Sequence, residues 1–457
     1  MATIVFYISP LQHEFNSILK LTNTLKLLGH KVFYLGFADS EEKVCKYGFS
    51  FVTILEKWFP KGFFQQLDNN YLNLSGLELL LEQRKYVKLL KSLMYSLYQG
   101  ENREIHNVLK EIHPDLLLIG TSMTSYASVI ALIAYECQIG TIYFTDMFPE
   151  LPPAKNIIKQ EKNINNAAQY RHYLLFNFLN QSKIKLCFDY LKRKFNFLIG
   201  RGFEEDPIRR FAIDRKIPVE LLDWSLSLPL KLPHLFLCPE ELDFPNSSRE
   251  GCYYAEASID LQREEPSFDW SKLNKNKALI YCSLGTTGET FQTVGKKKAQ
   301  KFFQNVIDAV SLKKEYQLIV SVSEHINIED LRYIPEDTII VNRAPQLALL
   351  EKASLAIING GIRTLKECIY WGVPMIVFPI SADQPENAEI VKYHGLGVVG
   401  DIKNTSVSLI IDLVDKIENN CFFKPRLETL KQKFREIENS GKATKIILDF
   451  LENNKRI

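Results

Sequence analysis

Near its start the chain alternates an apolar run of β-branched and aromatic residues, a helical pattern and a second such run. This alternation limits the fold more than any other feature. "ATIVFYIS" at 2–9 reads as a buried strand, and after it Phe15, Ile18, Leu25 and Leu28 share one helical face, with Gly29 where a C-cap would stand. "KVFYLGF" at 31–37 is the next strand, and such a unit implies a right-handed crossover and parallel pairing. "PDLLLIG", the helix through "ASVIALIAYECQIG" and the strand "TIYFT" repeat the unit, so an open α/β sheet is expected. From 155 to 215 the pattern changes to helical segments dense in Phe, Tyr, Lys and Arg. Residues 239–275 are polar and proline-dotted, and read as a last strand plus a linker. A second series begins at "KALIYCSLG" and continues through a helix around "AQKFFQNVIDAV" to strands "YQLIVSVS", "DTIIVN", "SLAIIN" and "VPMIVFP". The expected organisation is a domain at 1–260 with a helical insertion, a linker at 261–276 and a domain at 277–457 whose last helix packs back on the first. Two such domains normally leave a cleft, with ligands at the carboxyl ends of the strands.

Composition excludes several classes. The 457 residues carry a formal net charge of +2, so no nucleic-acid partner is called for. The eight cysteines are scattered with no C-x-x-C pair, which favours reduced core thiols over a metal site or disulfides. "MATIVFYISPLQHEF" has no basic leader and too short an apolar run for a signal peptide. Leu116–Tyr135 is uncharged over about a bilayer-spanning length. Gly120, Thr121, Ser122, Thr124 and Ser125 nevertheless cut it into a short strand and a helix, and a cytoplasmic protein is expected. "KIKLCFDYLKRKFNF" at 183–197 is basic and aromatic. Such a helix packs on the first domain with a solvated basic face, or lines a binding mouth, or makes a peripheral contact with an anionic membrane surface.

Two glycine clusters compete for a nucleotide. "GLGVVG" at 395–400 spells the G-x-G-x-x-G dinucleotide fingerprint, but a helical pattern precedes it and a short strand follows. The fingerprint needs the reverse context, and Gly395 is better explained as a helix C-cap. "NGGIRTLKE" at 359–367 has the right context, because it follows "SLAII" and opens the helix "RTLKECIYW". Its glycines let the backbone turn, and the helix N-terminus presents free N–H groups and about half a positive charge to an anion. Thr364 and Glu367 lie on one face, where they offer a hydroxyl to phosphate and a carboxylate to a ribose diol, or else form a capping box.

All loops that follow parallel strands lie on one sheet edge. Here those loops read "SLGTTG", "RAPQ", "NGGIRT" and "ISADQPEN". They bring together a glycine-hydroxyl turn (Ser283, Gly285, Thr286), Gln346, the anion cradle and the Asp383-Gln384 pair. The set suits a nucleoside diphosphate with a sugar attached, whose hydroxyls Asp383 and Gln384 could meet.

In this stretch the chain resembles the UDP-glycosyltransferase family, which has the GT-B fold of two Rossmann-like domains facing each other across a cleft. "RAPQ", "NGGIRTLKE", "GVP" and "DQPEN" follow the family's donor-motif order W-x-P-Q, H-G-G-x-x-S-x-x-E, G-V-P and D-Q-x-x-N. "SLGTTG" is similar to its S-x-G-S turn, and "ISPLQHEFNSILKLTNTLKLLGHKV" to its first strand, catalytic-histidine loop and G-H-x-V. The resemblance is thin from 150 to 240. It implies an inverting transfer of a hexose from a nucleotide sugar, with UDP-glucose as the expected donor, to a hydroxyl of an apolar small molecule. No prosthetic group and no metal are implied. His13 becomes the general base, because an imidazole can take a proton near neutral pH. The donor set becomes Ser283, Gly285, Thr286, Arg343, Gln346, Asn359, Gly361, Thr364, Glu367, Asp383 and Gln384.

Three positions depart from the family pattern. Arg343 stands where many members have a Trp under the base; a guanidinium plane can also stack, which leaves uridine and thymidine open. Asn359 replaces the usual His beside the diphosphate, with Arg363 nearby as a source of positive charge. The loop after "PDLLLI" reads "GTSMTSY" and lacks the Asp that orients the catalytic His, so Thr121 or Ser122 would have to serve. Two alternative readings remain: a donor-binding, catalytically impaired homologue acting as a partner subunit, and a sugar-nucleotide epimerase of the same architecture.

Overall fold

The structure, a computed structural model, describes residues 1–74, 76–147, 206–222, 228–243, 251–285 and 288–454. Thr286 and the basic aromatic segment at 183–201 lie outside the described residues. The chain divides into two compact units.

The first unit comprises 1–238, 245–258 and 441–457. Its strands are β1 (Thr3–Ile8), β2 (Lys31–Gly36), β3 (Ser50–Thr53), β4 (Leu116–Gly120), β5 (Thr141–Thr145), β6 (His234–Phe236) and β7 (Cys252–Tyr254). They form one parallel sheet in the order β3-β2-β1-β4-β5-β6-β7. Strand β1 is buried on both faces. Val5 and Tyr7 enter one apolar cluster, while Ile4, Phe6 and Ile8 enter the other. That double burial is why its sequence is a continuous apolar run rather than an alternating one. The uncharged stretch 116–135 becomes β4 and the first twelve residues of the helix Thr124–Glu136. Among the described residues no helix is long and apolar enough to cross a membrane. The last helix, Lys442–Asn454, belongs to this unit: Ala443, Ile447 and Leu451 join the cluster containing Ile18 and Leu25, and the Ala443 amide donates to buried Glu256.

The second unit comprises 239–244 and 259–440. Its strands are β8 (Ala278–Ser283), β9 (Tyr316–Ser321), β10 (Thr338–Val341), β11 (Ala353–Ile358), β12 (Met375–Val377) and β13 (Gly397–Val399). They form a parallel sheet in the order β10-β9-β8-β11-β12-β13. Chain order reverses between β1 and β4 in the first sheet and between β8 and β11 in the second. The loops leaving the two strands at such a reversal diverge, and the gap between them is where doubly wound sheets receive ligands.

The thiols are less uniformly core residues than the sequence suggests. Cys238, Cys282 and Cys368 are buried, but Cys45 and Cys421 are exposed, each near the end of a surface element.

Candidate functional sites on the two sheet edges

In the first unit, the loops after β1 and β4 flank the reversal point. His13 is the second residue of the helix Gln12–Leu27, and Ser122 lies two residues beyond β4. His13 Nε2 is 3.0 Å from Ser122 Oγ, in a hydrogen bond whose direction depends on the ring tautomer. The neighbour of His13 does more of the structural work. Glu14 is 2% exposed, and its carboxylate accepts the Ser9 amide with one oxygen and the Ser122 amide, at 3.0 Å, with the other. It thereby ties the β1 loop to the β4 loop. Gly120 makes room for it, since a Cβ at that position would run into the Glu14 carboxylate. Lys43 Nζ donates to the Pro10 carbonyl at 3.0 Å. Burial lowers its pKa to about 8, against the attraction of Glu14 and Asp39. The Tyr7 phenol is buried with no hydrogen-bond partner among the described residues, and burial, then Glu14, then Tyr86 hold it well above its usual range. Tyr86 and Tyr126 hydroxyls meet at 3.3 Å, and Tyr126 stacks edge-on with Phe37 and Phe59. Tyr126, Phe37 and Phe59 are buried in the core of the first unit, together with Tyr7.

In the second unit, Ser283 ends β8 and its Oγ accepts the Gly285 amide at 3.1 Å, in a turn that takes Gly285 to φ +83°. The side chain of Asn359 lies against that turn, and its Oδ1 accepts the Gly361 amide at 3.2 Å. Gly360 has φ +83°, and a Cβ there would approach Val377 Cγ1 to 2.6 Å, so only glycine fits. Gly361 is the N-cap of the helix Ile362–Trp371, and no side chain caps that end. The capping box between Thr364 and Glu367 is absent. Both side chains instead face Gln346, whose Nε2 donates to Thr364 Oγ1 at 3.2 Å and to Glu367 Oε2 at 2.6 Å. Tyr281 donates to Gln346 Oε1 at 3.2 Å and fixes the direction of that amide. Arg343 is exposed at the mouth of the same loop set, and Arg363 is half-buried in the first turn of the helix.

Asp383 caps the helix Gln384–His394 in position but not by a side-chain bond. Its Oδ2 accepts Asn387 Nδ2 at 2.7 Å, and the same Nδ2 donates to the Gly360 carbonyl at 2.9 Å. Asn387 therefore links the Asp383 loop to the glycine turn. Gln384 is buried and its Oε1 accepts the amides of Ile380 and Ser381, which leaves its NH₂ as the group able to donate.

The rival glycine cluster has a packing explanation at each position. Gly395 ends the preceding helix at φ +62°, a Cβ on Gly397 would strike the Met375 backbone, and one on Gly400 would strike the Phe378 ring.

Sequence reasoning missed Glu14, Asn387 and Arg263. Arg263 forms a two-pronged ion pair with Glu367. Asn387 stood within a quoted motif, one helical turn beyond Asp383, and that spacing was a usable signal. The links from Glu14 to Ser122 and from Arg263 to Glu367 span more than a hundred residues, and no local pattern marks them.

Two parallel sheets of this strand order, each flanked by helices, are the architecture of the GT-B fold. The glycosyltransferase VinC, solved in complex with dTDP, superposes with a TM-score of 0.62 over 99% of this chain and 100% of its own, at 12% identity. Residues 329–435 match the family described as UDP-glucoronosyl and UDP-glucosyl transferase. The uncharacterized UDP-glucosyltransferase YojK of Bacillus subtilis is 28% identical over 174 residues, 38% of this chain and 41% of YojK. The zeaxanthin glucosyltransferase of Pantoea ananas is 26% identical over 212 residues, 45% of this chain and 46% of that protein. The matches thus span under half the length of these relatives. The likeness to the UDP-glycosyltransferase family is thus carried by the second unit, and the chain as a whole has the GT-B fold of its structural neighbours.

Proposed function

We propose that this protein transfers a hexose from a nucleotide sugar, with UDP-glucose as the expected donor, to a hydroxyl of an apolar small molecule, inverting the anomeric carbon. One observation carries the reading: Gln346 and Glu367 lie in contact one turn beyond an uncapped helix N-terminus that opens on Asn359, Gly360 and Gly361. In this reading Gly361 to Thr364 hold the diphosphate with helix amides, helped by Asn359 and the turn of Ser283 and Gly285. Glu367 and Gln346 hold the ribose. Arg343 stacks on the base, and Asp383 with the Gln384 amide meets the sugar hydroxyls.

An apolar acceptor is in keeping with the name of the relative described as a zeaxanthin glucosyltransferase. His13 takes the proton of the acceptor hydroxyl as that oxygen attacks the anomeric carbon. The C–O bond to the diphosphate breaks, and its oxygen departs with the electron pair into the field of the helix N-terminus. Ser122 holds the imidazole in place of the family's acid.

His13→Ala tests the base. Turnover with an aliphatic alcohol should fall by about 10²–10⁴-fold, the range for general-base catalysis, while a nitrophenol acceptor, which ionises by itself, should suffer far less. Donor affinity should hold, because every named donor contact comes from the second unit. An unchanged rate with the aliphatic alcohol would refute His13 as the base. A wild-type protein that binds nucleotide but transfers to no acceptor would support the impaired-homologue reading, which the acid-free contact of His13 with Ser122 favours.

A further inference from the structure

Glu367 does not look out on an open seat. Its side chain is 4% exposed and already has three donors. Arg263 Nη1 reaches Oε1 at 2.5 Å, Arg263 Nη2 reaches Oε2 at 3.3 Å, and Gln346 Nε2 reaches Oε2 at 2.6 Å. The Arg263 side chain is 18% exposed, so the guanidinium is the solvent-side partner of the pair. It arrives on a stretch without helix or strand. Its other neighbour is Glu265, whose Oε1 is 3.4 Å from Nη2. The Glu265 carboxylate also accepts the Leu347 and Ala348 amides at 2.8 and 3.1 Å, in the helix Gln346–Leu350 that carries Gln346.

A guanidinium fork and a vicinal diol address a carboxylate in the same way, with two donors side by side on its two oxygens. Both cannot take both oxygens at once. We infer that Arg263 is the resident occupant of the ribose seat, and that donor binding exchanges its guanidinium for the ribose diol. This rests on reading Glu367 as the ribose acceptor. A buried carboxylate without a partner is strongly disfavoured, which gives the ligand-free site a reason to hold a cation there. Once displaced, Arg263 keeps its tether to Glu265 and remains able to return when product leaves. The latch lowers the apparent affinity of the nucleotide by the fraction of molecules in which the seat is free.

The test is calorimetry of the full chain with UDP and with 2′,3′-dideoxy-UDP, which lacks the diol, on wild type and Arg263→Lys. Lysine keeps the charge but cannot fork, so one charge-assisted hydrogen bond of the latch is lost. UDP should bind about tenfold tighter to the variant, while dideoxy-UDP, which needs no exchange at Glu367, should bind both forms alike. Arg263→Gln, with the same expectation, replaces the lysine variant if melting shows that variant unfolded. If wild type favours UDP over dideoxy-UDP but the variant binds UDP no tighter, the latch is refuted and the ribose assignment stands. If both ligands gain equally, the effect is not exchange at the carboxylate, and the latch is again refuted. If neither protein distinguishes the two ligands, or neither binds them, Glu367 is not the diol acceptor and the latch falls with that assignment.

Discussion

Removing the Glu14 carboxylate is the sharpest perturbation of the first unit. The group is buried and is the acceptor for two backbone donors from different loops, Ser9 and Ser122. Glu14→Ala strands both amides, and an unsatisfied buried donor costs about 1–3 kcal/mol, so about 2–6 kcal/mol is expected in all. That is a large part of the about 5–15 kcal/mol that a native protein has. Glu14→Gln is the gentler probe: one oxygen is kept, an NH₂ faces the other amide, and about 1–3 kcal/mol should be lost. Function should follow, because the Ser122 backbone is set by Glu14 and the Ser122 hydroxyl touches His13. Turnover should drop in Glu14→Gln with nucleotide affinity unchanged. Ser122→Ala, which removes only the hydroxyl, should lower turnover yet change stability by no more than about 0.5 kcal/mol, as is usual away from buried networks. Hydrogen exchange at the Ser9 and Ser122 amides, urea unfolding and steady-state transfer together decide the matter. Wild-type exchange, midpoint and turnover in Glu14→Gln would show that the carboxylate does not hold these loops.

Lys43 gives a pH signature. Its folded pKa of about 8 lies below the usual 10.5 of a lysine, chiefly through burial, so the unfolded chain binds the extra proton between those values and stability rises with pH there. Below pH 8 both states are charged and the penalty is full and constant; Tyr34, raised above its usual 10 by burial, pulls the other way only above pH 10. Relative to Lys43→Met, the wild type should therefore gain about 2 kcal/mol between about pH 8 and 9.5, at 1.36 kcal/mol per unit, and equal slopes in urea titrations of the two would refute the reading. In the second unit, Asp383→Ala should lower turnover and relax sugar choice while changing UDP affinity by less than about threefold. Its link to the glycine turn runs through Asn387, which keeps its bond to Gly360; calorimetry showing a loss of UDP binding as severe as in Glu367→Ala would remove Asp383 from the sugar end.

The central strands were legible because a parallel strand buried on both faces has to be apolar throughout. "TIVFYI" and "LLLIG" are almost wholly buried in their sheets. The strands that went unread are short or half-exposed: β3 has one exposed and three half-buried residues, and β6 has only three residues. Such segments take their conformation from a neighbour's ladder, which local sequence does not encode. The same division runs through the sites. The glycine turn at Asn359–Gly361 could be read from its strand-before, helix-after context, since its requirement is local: Gly360 must hold φ +83° against Val377. "GLGVVG" satisfies the letters of a dinucleotide fingerprint with three unrelated requirements, a left-handed cap at Gly395, a close approach to Met375 at Gly397 and an aromatic ring over Gly400. Glycine reports that something lies close to the backbone, and only the element order says whether that is a ligand or another part of the chain. For carboxylates even the element order is not enough. Glu367 was placed at the ribose by its turn, but the guanidinium that covers it lies 104 residues earlier, in a stretch with no helix or strand. Charge pairing at that sequence distance is a property of the folded chain alone, which is why the Arg263–Glu367 pair could be found only in three dimensions.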